Sequence, residues 1–223
     1  MKQEVLAMIP VRLGSQRLAK KNLKELRGVS LINRAIRKCK DSSVFDQIWV
    51  NSESAVFKQI AQSEDVGFHQ RPPYLGNNEA TSEQYIAEFL QNHTCDWLVQ
   101  VHSIAPLLSV SEVCSFVEHT RKSSADLVLS YEPIQLECVF DDQPVNFSFN
   151  EKTNSQDLKA VKRISWSISA WRRDAFLSAV EQRKCATYCG KTDYFPISQF
   201  ASHVIKTQED LVIAEALLPL IKY

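Results

Sequence analysis

Apolar positions along this chain recur with two alternating periods, and that alternation predicts an architecture. Residues 5–11 are apolar nearly throughout. Behind Ser30, a residue suited to capping, Leu31, Ile32, Ala35, Ile36 and Cys39 then follow at helical spacing. Residues 45–50 read as a second strand, and Val56, Phe57, Ile60 and Ala61 as one face of a second helix whose unit ends at Gly67. Strand, helix, strand, helix is the rhythm of a parallel sheet with crossover helices.

Arg71-Pro72-Pro73 interrupts the pattern and opens an ordered loop, because proline disfavours helix at the residue before it. A helix follows Ser82, with Tyr85, Ile86, Phe89 and Leu90 on its buried side. Residues 97–101 form a near-continuous apolar run, the pattern of a central strand. The strand ends at His102-Ser103-Ile104-Ala105-Pro106, and open α/β sheets place ligands beyond the carboxyl ends of strands. Residues 111–121 give another helix and 127–131 another strand. From 132 to 162 the periodicity lapses, with Pro133, Pro144 and a polar run at 150–157, which reads as a hairpin excursion from the main sheet. Alternation returns at 164–171, a helix covers 173–183, and the last helix begins near Gln208 and buries Leu211, Val212, Ala214, Leu217 and Leu218. The expectation is a single domain over 1–223.

Composition narrows the partners. The 26 basic residues balance 26 acidic ones, so no whole-chain field recruits nucleic acid or an anionic membrane. No apolar run approaches the ~20 residues that span a bilayer. The first residues lack a signal-peptide pattern, and the six cysteines then read as reduced thiols, so a cytoplasmic protein is expected. Cys185 and Cys189 are spaced C-x3-C, without the second pair or nearby histidine of a zinc site.

The candidate chemistry is concentrated after the first strand, where Arg12, Gly14, Ser15, Arg17, Lys20 and Lys21 share one loop. Gly14 suits a sharp turn that brings backbone N–H groups close to a ligand, and cations around such a turn describe a phosphate-handling loop. The spacing is neither a Walker loop nor G-x-G-x-x-G. On spacing alone a solvated basic turn fits equally well.

With Arg12, Gly14, Ser15, Lys21 and Asn22 in place, the opening stretch resembles that of the acylneuraminate cytidylyltransferases, the CMP-sialic acid synthetase family. Members begin with a strand followed by Pro-x-Arg-x-Gly-Ser and a basic segment ending Lys-Asn. Here these are Pro10-Val11-Arg12-Leu13-Gly14-Ser15 and Lys21-Asn22, with Ala19 where the family has proline. Val50-Asn51-Ser52-Glu53 resembles the family's Val-Ser-Thr-Asp. Arg71-Pro72 followed by Ala80-Thr81-Ser82 is similar to its Arg-Pro loop and downstream serine. His102-Ser103-Ile104-Ala105-Pro106-Leu107 resembles Gln-Pro-Thr-Ser-Pro-Leu, and Thr207-Gln208-Glu209-Asp210-Leu211 the Asp-Thr-x-x-Asp-Leu opening of the last helix.

The resemblance implies a three-layer α/β/α nucleotidyltransferase fold, Rossmann-like, with a mixed, mostly parallel sheet and a dimerisation excursion near 132–170. It implies CTP as one substrate and a sialic-acid-like 2-keto-3-deoxy sugar acid as the other, with release of pyrophosphate. On the matching positions, Arg12 and Lys21 are the catalytic cations. Leu13, Gly14, Ser15, Asn22, Arg71 and Ser82 contact the nucleotide, and His102 the sugar. Asn22 offers a donor and an acceptor suited to a pyrimidine edge. A homodimer is implied too, with Lys159, Lys162 or Arg163 reaching the partner's site.

Departures from the family leave other readings open. His102 replaces a glutamine, and a histidine at a strand end serves structure as often as chemistry. Mg2+ is expected from the resemblance, yet the family's Asp-x-Asp positions are Val204 and Lys206. Asp210 looks like a helix-opening acid. A nucleotide-binding homologue without turnover, or a transferase for another sugar acid such as 3-deoxy-manno-octulosonate, therefore stands beside the first reading.

Overall fold

The computed structural model describes residues 3–221. Strand β1 (Val5–Pro10) shows why three layers form. Successive side chains on a strand point to opposite faces, so Val5, Ala7 and Ile9 enter one hydrophobic cluster while Leu6 and Met8 enter another. The first cluster packs under helices α1 (Leu31–Ser42), α2 (Ala55–Ser63) and α4 (Val110–Lys122), and the second under α3 (Ser82–Asn92) and α5 (Arg173–Glu181). Burial on both faces explains the near-continuous apolar runs of the central strands.

The remaining sheet strands are β2 (Gln47–Ser52), β3 (Gly67–Gln70), β4 (Trp97–Val101), β5 (Leu127–Ile134), β6 (Val161–Arg172) and β7 (Thr192–Pro196). They lie in the order β7-β5-β6-β4-β1-β2-β3, and all pairings are parallel except those of β6 with β4 and β5. After β1 the chain builds outward to β2 and β3, then returns through α3 to β4 on the other side of β1. The reversal splays the loops after β1 and β4 apart, and ligand crevices of open α/β sheets form at such a switch point.

Several expectations shift in detail. The second strand begins at Gln47 rather than 45, and Gly67 starts the edge strand β3 instead of ending a unit. Strand β7 had no alternation to announce it. Ser30 does cap α1, its side chain accepting from the Asn33 N–H. The alternation at 164–171 marks no exposed face: Ser165, Ser167 and Ser169 are all buried. Between Ile164 and Ser169 the register of β6 on β5 shifts, and the Ser130 hydroxyl on β5 lies 2.8 Å from the Ser165 carbonyl and 2.6 Å from that of Ile168. The hydroxyl thus compensates the interrupted ladder. Val212 lies exposed on α6 (Gln208–Leu217), contrary to expectation, while Leu211, Ala214 and Leu218 are buried.

The excursion is the far end of the long β5–β6 hairpin and carries a short antiparallel ribbon, Val139–Phe140 with Gln143–Pro144. Among the described residues, no helix is long and apolar enough to cross a membrane.

Candidate active site

A cleft of about 350 Å³ opens where β1 and β4 end. It is lined by Arg12, Ser15, Arg17, Lys21 and Asn22 from the loop after β1, by Arg71, Asn77, Asn78, Ser82 and Tyr85 from the β3–α3 connection and α3, and by His102, Ile104 and Lys206. Of the nine residues to which the resemblance gives site roles, seven converge here: Arg12, Ser15, Lys21, Asn22, Arg71, Ser82 and His102.

Leu13 and Gly14 do not. The Leu13 side chain packs against the first core cluster, and its N–H donates to Glu53 Oε1 at 3.0 Å. Gly14 lies outside the lining, and a Cβ there would meet nothing within 4 Å. The left-handed backbone expected of a glycine falls instead on Lys20, at φ 50°.

The loop is braced from inside. Asn22 is 5% exposed; its Nδ2 donates to the Arg12 carbonyl at 2.9 Å, and its Oδ1 accepts from the Ser103 hydroxyl at 2.9 Å. The amide expected to meet a pyrimidine is thereby committed to joining the loops after β1 and β4. Arg71, 2% exposed, donates to the carbonyls of Val11 and Asn51 and lies 4.7 Å from the centre of the Tyr85 ring. Burial works against its charge, and the Tyr85 face and Glu53 partly compensate. Arg71 thus ties together the ends of β1 and β2 beneath the cleft, while Arg12 reaches across the mouth to the Asn77 carbonyl at 2.6 Å. Ser82 is exposed and does not cap α3; Thr81 does, in a capping box with Gln84.

Electrostatically the cleft is one-sided. Lys21 is held below the usual lysine range, first by burial and then by Arg17, Arg12 and Lys206, with Asp210 opposing. His102 is pushed down to about 4 by burial and by Lys21, so its ring is neutral at pH 7. Crowded cations of this kind favour an anionic ligand, which relieves their mutual repulsion.

The residues present do not fit a magnesium ion. Among the described residues no Asp or Glu lines the cleft, and the carboxylates of Glu53 and Asp210 already have protein partners. Glu53 accepts from Leu13 N–H and from the Ser52 hydroxyl. Asp210 Oδ2 accepts from the N–H groups of Lys206 and Thr207, which makes it the helix-opening acid expected from sequence. Val204 packs on the core, and Lys206 brings a cation into the cleft. Among the described residues, no group of three or more His, Cys, Asp or Glu is arranged to hold a metal.

Asn77 and Asn78 carry no signature in the sequence because their loop has no periodicity, and the helical spacing places Tyr85 only in the core. Lys38 was equally silent. It is 4% exposed within α1, donates to the Ala105 carbonyl at 2.9 Å, and is pushed down to about 7 by burial.

A three-layer α/β/α sheet thus carries a cation-lined cleft at its switch point. Residues 6–217 match the cytidylyltransferase family, and the chain belongs to it. Over 129 residues it is 30% identical to N-acylneuraminate cytidylyltransferase A of Danio rerio, covering 57% of this chain and 30% of that protein. Over 135 residues it is 27% identical to the N-acylneuraminate cytidylyltransferase of Streptococcus agalactiae, covering 58% of this chain and 32% of that protein. These matches span under a third of the relatives' length. Among solved structures, CMP:2-keto-3-deoxy-manno-octonic acid synthetase complexed with CTP has a TM-score of 0.75 at 16% identity, covering 97% of this chain and 99% of that one. The 4-diphosphocytidyl-2C-methyl-D-erythritol synthase of Anaerococcus prevotii gives 0.71 at 14% identity, with the same coverage. At those identities the likeness shows a shared fold.

Proposed function

We propose that this protein transfers CMP from CTP to a sialic-acid-like 2-keto-3-deoxy sugar acid and releases pyrophosphate. The observation that carries the reading is the cleft, in which Arg12, Arg17, Lys21 and Lys206 gather at the switch point of a cytidylyltransferase-family sheet. In the reaction the acceptor's anomeric hydroxyl oxygen bonds to the α-phosphorus. The bond from that phosphorus to the bridging oxygen breaks, pyrophosphate leaves with the electron pair, and the hydroxyl proton passes to water.

Such a transfer needs charge neutralisation and placement more than covalent help. Arg12 supplies a planar fork to phosphate oxygens and Lys21 a point charge, with Ser15 beside them. Ser82 lies on the cytidine side, where Arg71 and Asn22 act by holding the loops in place. The neutral ring of His102 accepts a hydrogen bond from the acceptor hydroxyl. The acylneuraminate relatives support a sialate-type acceptor, and the structural neighbour keeps an octulosonate in view.

Pyrophosphate release from CTP tests the reading, measured with a panel of nonulosonic acids and 3-deoxy-manno-octulosonate, with and without magnesium. Release that depends on a nonulosonate supports it, and release with octulosonate alone reassigns the acceptor. CTP binding without release across the panel favours a non-catalytic homologue, which the absent carboxylates motivate.

We also infer a homodimer. The excursion exposes Leu136, Val139, Phe140, Val145 and Phe149, with Phe140 78% exposed. Of the cations considered for crossing to the partner, Arg163 is bonded to Glu132 and Ser202, and Lys162 lies 4.2 Å from the Tyr194 ring centre, so Lys159 remains the candidate. A monomer in sedimentation at micromolar concentration would overturn this. The six cysteines are free thiols, which supports a cytoplasmic setting.

A further inference from the structure

We propose, resting on the CTP reading above, that this cleft binds the nucleotide triphosphate without a divalent cation, with the Lys206 ammonium taking the ion's place. The position of Lys206 is built. Ile205 N–H donates to the Ile104 carbonyl at 2.8 Å, which stitches the segment to the loop after β4. Lys206 N–H donates to Asp210 Oδ2 at 2.8 Å, which joins it to the start of α6. With the backbone held at both points and Val204 packed on the core, the exposed Lys206 side chain lines the cleft together with Arg12, Arg17 and Lys21.

The charge balance points the same way. A triphosphate that arrives with magnesium brings two positive charges into a cleft already crowded with cations and lacking a lining carboxylate. The bare triphosphate brings only the negative charge that those side chains lack. The repulsion that Lys21 feels from Arg17, Arg12 and Lys206 is relieved when phosphate oxygens lie among them. A magnesium ion asks for the opposite lining, with carboxylate oxygens beside the phosphates.

Calorimetric titration of the full chain with CTP, in EDTA and in excess magnesium chloride, tests this, with CMP as the probe lacking the outer phosphates. CTP should bind in EDTA, and magnesium should leave the affinity unchanged or lower it. Lys206→Ala should weaken CTP binding in EDTA about tenfold, the size of one charge-assisted hydrogen bond. The same variant should leave CMP binding within about twofold, because the contact is to the outer phosphates. Lys206→Arg should retain the affinity, and Lys206→Asp should make binding depend on magnesium. Thermal melting of each variant checks that this exposed position leaves the fold intact. Binding of CTP only with magnesium, or an unchanged affinity in Lys206→Ala, overturns the inference while the CTP reading stands. Absence of CTP binding in both conditions overturns the two together.

Discussion

The loop 12–22 and the segment 203–210 meet in one cleft, and they spend their polar groups in opposite ways. In the loop, the neutral side chain of Asn22 turns inward and satisfies the Arg12 carbonyl and the Ser103 hydroxyl, leaving Arg12 and Lys21 on the cleft. In the segment, the acid turns inward: Asp210 accepts from the N–H groups of Lys206 and Thr207, leaving the Lys206 side chain in the cleft. A carboxylate committed to a helix cap has little left for a metal. Both regions therefore present cations, one because an amide does the bracing and the other because a carboxylate does.

The largest expected effect separates presenting groups from bracing groups. Arg12→Ala should lower kcat/KM about 10²–10³-fold, as loss of a donor to transition-state charge does, and change the melting temperature little. Steady-state pyrophosphate release checks the first part and thermal melting the second. An equal fall in stability would make Arg12 a bracing group as well.

Asn22→Ala should act in the other order. It leaves the Ser103 hydroxyl and the Arg12 carbonyl without their partner and should cost about 2 kcal/mol in urea unfolding. Activity should fall too, because the cations above it lose their placement. Asp210→Ala removes the N3 partner of the Thr207 capping box and should cost about 1 kcal/mol. Were Asp210 a metal ligand instead, the variant would raise the magnesium concentration needed for activity with little change in stability.

The smallest effect is a pH dependence. His102 has a folded pKa of about 4, below its ordinary value near 6.5. As pH falls from about 6.5 toward 4, the unfolded chain takes up a proton that the folded site refuses, so stability is full above about 6.5 and falls through that window. His93, also pushed to about 4 by burial and by His69, adds a slope of the same sign. Urea midpoints across the window should decline in the wild type and decline less in His102→Gln. An unchanged slope in that variant would place the titration elsewhere.

Much of the architecture was legible because burial leaves a period in the sequence. The run 97–101 gave β4, whose five residues are all buried, and helical spacing behind Ser30 gave α1 with its cap. What escaped lacks that signature. The edge strand β3 is four residues long and opens with Gly67, a residue that reads as a terminator. The serines of β6 alternate as a solvent face would, but all three are buried, with Ser165 and Ser167 bonded to each other and Ser167 to the Ala201 carbonyl. At the site, residue type revealed which groups carry charge, yet not which way each one turns. Asn22 and Arg71 looked like ligand contacts, whereas apart from the Ser103 hydroxyl their partners, the Arg12, Val11 and Asn51 carbonyls, are backbone atoms that no motif displays. Lys38 shows the same blindness, since nothing in its neighbours foretold a lysine bonded to the Ala105 carbonyl inside the protein.

The most direct test of the central claim is a crystal structure with CTP bound. The triphosphate should lie between the loop cations Arg12 and Lys21 and the Lys206 ammonium, with the cytidine toward Ser82 and the side facing His102 open for the acceptor. Phosphates lying away from Arg12 and Lys21, or a nucleotide seated outside this cleft, would contradict the account.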